Sequence, residues 1–194
     1  MNRLLYIVLL LLSPVLMAAD IEEPRWELID KLDQVELRRY APSIQAVTEL
    51  GSSAGTSSGF RLLAGYIFGG NERAQSIAMT APVQETLEKT RPVMAFTLPA
   101  EYSMEELPTP NDERVSLVEV PQRTVAAVRF SGWATGGKVA RMQRKLLSTL
   151  ATHGIESVGV PVLNQYNPPW TAPFLRRNEV SVEVVFGGDL AAAH

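Results

Sequence analysis

Cysteine is absent from the 194 residues. That excludes disulfides, thiolate nucleophiles and cysteine-held metals. Histidine is nearly absent too: the chain has two, His153 and the terminal His194, so neither a His-rich zinc site nor a metalloprotease helix with paired histidines fits. There is no basic excess, with 18 Lys and Arg against 21 Asp and Glu and a net charge of −3, which argues against nucleic acid as the main partner. Gly69-Gly70 lacks the Lys-Ser/Thr of a phosphate loop and follows a helical pattern instead of opening one. The acidic residues show no metal-loop spacing, and a Ser-His-acid triad would have to recruit His153, which has no recognisable nucleophile context. On chemistry alone the residues favour a binder over an enzyme.

What is present is a chain of 46% hydrophobic and 20% charged residues, the profile of one globular domain. Arg3, the apolar run Leu4–Leu12, the Ser13-Pro14 break and the small residues Ala18-Ala19 have the layout of a secretory signal peptide. Nine apolar residues fall short of the ~20 that a spanning helix needs, which disfavours an uncleaved anchor. The reading is therefore a signal peptide over 1–19, a single mature domain over 20–194, and export, in a Gram-negative bacterium to the periplasm. Membrane contact is expected only through the leader.

Periodicity gives the elements. Strands are expected from Trp26, through Val35–Arg38, and over Ser43–Leu50. Phe60, Leu63, Ala64 and Ile67 recur at i, i+3, i+4 and i+7, predicting a helix over Ser58–Phe68 that ends at Gly69-Gly70. Strands follow at Gln75–Val83, Pro92–Leu98, Val115–Val120 and Thr124–Phe130. A second helix over Gly137–Thr152 carries Val139, Met142, Leu146, Leu147 and Leu150 on its apolar stripe, and strands close the chain at Val158–Gln165 and Glu179–Phe186. The order strand, helix, strand, strand occurs twice, and Pro82-Val83 and Pro161-Val162 lie 79 residues apart at matching points. Such a duplication gives an antiparallel sheet with both helices packed on it.

Five strings carry a resemblance. They are Phe60–Asn71 with Ile77–Val83, Met94–Pro99, Tyr166-Asn167-Pro168-Pro169-Trp170 and Arg176-Arg177-Asn178-Glu179-Val180. In this order, from about Trp26 to Val185, the chain resembles the SOUL/haem-binding protein family. The resemblance implies an α+β fold: a duplicated βαββ unit forming a distorted antiparallel β-barrel flanked by two helices. It also implies non-covalent binding of haem or another tetrapyrrole, with no metal site of the protein's own. Phe60 and Ala64 stand where the family's apolar haem contacts are described, and Gly65 stands where the family can have a lysine, so a propionate partner is missing there. The family's proposed pocket lies along the first helix and beneath the loop before the last strand.

A porphyrin is a broad apolar plate with two carboxylates on one edge, and it needs an apolar slot with cations at the rim. The candidate contacts are Phe60, Leu63, Ala64 and Ile67 on the first helix, Trp170 and Phe174 in the Pro-rich loop, and Arg176 at the rim. The same helix stripe also suits plain core packing, and Arg176 and Arg177 either reach propionates or serve the fold, one of them pairing Glu179 or capping loop carbonyls. For the iron, His153, Met79 and Tyr66 are the side chains of suitable type. Two other function classes remain beside a haem carrier, buffer or scavenger. One is a small-molecule hydrolase using Glu183 or Glu179, which alternation places on one face of the last strand. The other is an envelope interaction module without a small ligand.

Overall fold

A computed structural model describes residues 21–51, 55–88 and 90–186; the proposed signal peptide lies outside them. The elements are β1 (Trp26–Leu32), β2 (Val35–Tyr40), β3 (Ser43–Glu49), α1 (Gly55–Ile67), β4 (Val83–Thr86), β5 (Val93–Thr97), β6 (Ser116–Val120), β7 (Arg123–Phe130), α2 (Gly136–Thr152), β8 (Glu156–Gln165) and β9 (Asn178–Val185). All nine strands join one antiparallel ladder in the order β1-β2-β7-β9-β8-β4-β5-β3-β6. This is the α+β fold expected. The ladder has two free ends, β1 and β6, and does not close hydrogen bond by hydrogen bond into a barrel.

The duplication is visible in the pairing. β3, α1, β4 and β5 form one unit and β7, α2, β8 and β9 the other. Within each the last strand lies between the other two, and β4 pairs with β8 where the units meet. The strands that precede the units are exchanged: β2 pairs with β7 and β6 pairs with β3.

Alternation along the strands sends apolar side chains to the helix-bearing face. Under α2 this makes one core from Leu37, Val128, Val180, Val182 and the helix residues Val139, Leu146 and Leu150. Under α1 a second core gathers Ala46, Met94, Phe96, Leu63, Tyr66, Ile67 and Ile77. The opposite face is polar yet buried. There Gln45, Gln84, Asn164 and Ser181 form a continuous chain of side-chain hydrogen bonds at 2.8, 2.9 and 2.8 Å across β3, β4, β8 and β9, which satisfies groups that would be costly to bury unpaired.

One expected strand is displaced. The sequence predicts a strand over Gln75–Val83, but pairing with the sheet begins only at Val83. Upstream, Ile77 donates its N–H to Ile67 O, and Ala81 donates to Glu22 O. These backbone N–H groups thus bond to the end of α1 and to the N-terminal strap, while the Thr80 hydroxyl donates to Thr97 O on β5.

Candidate functional site

An apolar cleft of ≈ 780 Å³ opens between α1 and the loop before β9, inside the ~300–1,000 Å³ range of small-molecule sites. One wall is the exposed side of α1, with Thr56, Ser57, Phe60 and Arg61. The floor is Met79–Ala81, Val83 and Met94, and the far wall is the loop Gln165–Trp170 with Arg176. Ile21 and Phe68 stand at the edges. Phe60 is 41% exposed, Phe68 68% and Trp170 85%. A cluster of large exposed apolar side chains around a concavity marks a binding surface. Phe60 is held in place by an edge-on contact with Phe96, 5.3 Å between ring centres.

The helix stripe read from the sequence divides. Phe60 faces the cleft, whereas Leu63 and Ile67 are fully buried in the core beneath α1 and Ala64 packs partly against it. None of these three lines the cleft. Phe174 is 78% exposed and also lies outside the lining. Trp170 and Arg176 do line it.

Arg176 is already engaged. Its Nε donates to Thr171 O at 2.8 Å and its Nη2 to Pro169 O, and its guanidinium lies 3.9 Å from the centre of the Trp133 ring. It therefore ties the far wall together. Arg61 is the cation left at the rim. It is the sole charged residue of α1, exposed, and has no hydrogen bond or ion pair among the described residues. Its helical neighbours Ser57, Ser58, Ala64 and Gly65 carry no acid to pair with it, a signal legible in the sequence and missed. Gly65 does not line this cleft; it borders a second groove with Tyr66, Asn111 and Arg114.

Of the three side chains considered for iron, Met79 lines the cleft. Tyr66 is buried and donates its hydroxyl to Pro108 O at 3.1 Å, and burial pushes that phenol up to about 12. His153 is exposed at the end of α2, in the other unit, where Gly154 at φ +67 turns the chain away.

Behind the far wall lies a buried charge cluster. Glu179, 1% exposed, accepts from Arg38 Nη1 at 2.7 Å, Arg38 Nη2 at 3.2 Å, Arg177 Nε at 3.1 Å and the Tyr166 hydroxyl at 2.9 Å. Burial by itself would raise its pKa, but the bonds and charge of Arg38, aided by Arg177 and Tyr166, hold it below the usual carboxylate range. Burial and the adjacent Glu179 charge push the Tyr166 phenol well up. Arg177 stacks 3.6 Å over the Tyr166 ring and grips Glu23 through 2.8 and 2.9 Å bonds. The cluster fixes Tyr166, at the root of the loop, and leaves the Glu179 oxygens fully used. Glu183 shares its face of β9, as alternation required, but is exposed, lies 3.8 Å from Arg123 and borders none of the described clefts. Neither carboxylate is placed to attack a bound substrate.

A family profile described as "SOUL heme-binding protein" matches residues 21–183. Heme-binding protein 2 of Mus musculus is 26% identical over 191 residues, covering 84% of this chain and 90% of that protein. Among solved structures, the C-terminal domain of EcmrR superposes with a TM-score of 0.60 at 12% identity, covering 79% of this chain and 98% of that one. A hydrolase from Listeria innocua superposes with a TM-score of 0.60 at 10% identity, covering 81% and 94%. At such identities the two superpositions speak to fold alone.

Proposed function

Because the chain belongs to the SOUL heme-binding protein family, we propose that it binds haem or a related tetrapyrrole non-covalently in the cleft between Phe60 and Trp170. In this reading it acts without catalysis, as a carrier, buffer or scavenger, after export under the leader Met1–Ala19. The observation that carries the reading is the cleft itself: large enough, apolar on floor and walls, and edged by exposed aromatics.

The residues suit the macrocycle well. Phe60, Phe68, Met79 and Trp170 offer apolar surface to a flat ring, and Arg61 offers the unpaired rim cation that a propionate requires. When bound, haem supplies an iron centre whose properties follow from its axial ligands. The protein's own part is to bury the ring, exclude water and hold the carboxylate edge. Met79 contributes the thioether among these lining groups, and the Tyr166 hydroxyl is committed to Glu179.

Titration of the protein with hemin tests the reading. A saturable Soret shift with quenching of tryptophan emission at micromolar concentrations is expected, since Trp170 stands at the cleft. No shift and no quenching would refute it. Cell fractionation with N-terminal sequencing tests export and the cleavage site.

A further inference from the structure

Beyond the cleft, two loops meet in a tip. Residues 131–137 and 166–175 contain no Asp, Glu, Lys or Arg, in a chain with 20% charged residues. They are joined through Gly132 N–H to Pro173 O at 2.8 Å, Asn178 Nδ2 to Gly132 O at 2.9 Å, and the stacking of Arg176 on Trp133. From this knot project Trp133, Trp170, Phe174 and Leu175, which are 55%, 85%, 78% and 65% exposed.

Part of the tip's backbone is satisfied within the knot. Pro168, Pro169 and Pro173 bring no N–H. The carbonyls of Pro168, Pro169, Thr171, Ala172 and Pro173 each accept a bond from within the knot or from Arg176. Arg176 itself is buried beneath Trp133. A segment with no charged side chain, and with these carbonyls already bonded, loses less on moving to the membrane–water interface, where its remaining N–H groups still meet water and headgroups.

We infer that this tip docks on a lipid bilayer, inserting Trp170, Phe174 and Leu175 at the membrane–water interface. Tryptophan at that depth is favoured because its ring is apolar and its N–H can stay at the headgroups. With four exposed apolar side chains and no charged side chain in either loop, the tip fits an apolar interface better than a charged protein partner. No helix among the described residues is long and apolar enough to cross a membrane, so the contact is peripheral. The layout of the leader accounts for membrane contact there alone; the tip is a second, separate means. Because Trp170 also borders the cleft, an apolar ligand would pass between bilayer and cleft without crossing bulk water.

The test uses the full chain with phosphatidylcholine vesicles containing brominated acyl chains. The first twenty residues hold no tryptophan, and the double variant Phe174→Ser/Leu175→Ser keeps the leader and Trp26, so the difference between it and the wild type reports the tip alone. Quenching of tryptophan emission is expected, together with partition that 0.5 M salt leaves unchanged, as apolar insertion requires. Phe174→Ser/Leu175→Ser should reduce the quenching-derived partition by at least about tenfold, and Phe174→Ser alone by less, with the melting temperature unchanged. Absence of quenching, equal quenching in the double variant, or loss of binding in salt would overturn the proposal. So would a lipid-free dimer that the double variant abolishes, since the tip would then be an interface between copies. The vesicles carry no tetrapyrrole, so this proposal and the haem reading stand or fall separately.

Discussion

Arg38 and Glu179 lie 141 residues apart in sequence and 2.7 Å apart in the fold, 3% and 1% exposed. Each completes the other, and together they fasten β2, β9 and, through Tyr166, the root of the cleft's far wall. Removing one partner would leave a charge buried without compensation, which typically costs ~3–5 kcal/mol. Arg38→Met is therefore expected to lose at least about 3 kcal/mol in urea unfolding. Glu183→Gln, on the exposed part of the same strand, should change stability by less than about 0.5 kcal/mol.

The same pair sets an acid limit. Glu179 is held below its ordinary value of 4.5 in the folded protein, so the unfolded chain binds this proton first. Its contribution is fully present above about 4.5 and is lost as the pH falls through the depressed folded value. Melting temperatures measured from pH 6 downward should fall most steeply below that point. Glu179→Gln, less stable at neutral pH, should show a shallower decline over the same range.

For the ligand, Phe60→Asp places a charge in the apolar slot and should weaken hemin at least about tenfold, more than Met79→Ala does. Equal affinity of Phe60→Asp and wild type, with the fold intact by circular dichroism, would remove Phe60 from the site. Met79→Ala has its own readout: a change in the Soret position beyond its effect on affinity would identify the thioether as an iron contact.

His153→Ala should leave hemin affinity within about threefold, a change below ~1 kcal/mol. The residue is exposed just past the end of α2, in the unit whose helix does not line the cleft. A loss of about a hundredfold or more would place the iron there and move the site.

Two glycines of the first unit should respond oppositely to alanine. At Gly65, in α1, a Cβ meets nothing within 4 Å, so Gly65→Ala should stabilise by ~0.5–1 kcal/mol through helix propensity. At Gly70 a Cβ would fall 2.6 Å from the Gly65 carbonyl oxygen and 2.9 Å from its carbon. Backbone cannot yield there as a side chain could, and Gly70→Ala should destabilise by ~1–3 kcal/mol. Thermal melts of the two variants check both signs.

Much of the fold was legible because period and breakers agreed: α2 begins one residue before its expected start and ends at Thr152, and the repeated element order is the sheet's actual symmetry. The stretch before Val83 was misread because an extended apolar segment looks the same whether it pairs with a sheet or with a helix end. The site was legible in part. Phe60 and Leu63 share one helical stripe, and only the landing place of a loop a hundred residues later separates a wall of the cleft from the core. Arg176 and Arg177 were legible as a pair serving either propionates or the fold; which one caps loop carbonyls and which one pairs Glu179 depends on how the loop folds back, which leaves no mark on side-chain pattern.

The exchange of β2 and β6 between the units bears on how the chain must assemble. Neither half holds its own first strand, so each presents an open edge until the other arrives, and three of the ladders, β2·β7, β4·β8 and β3·β6, join residues from different halves. Their closure demands long loops before any reward is collected, which places the protein among slow, high-contact-order folders. Severing the connection between β5 and β6 would yield two fragments that are complementary templates: inert or sticky apart, and native only as a pair.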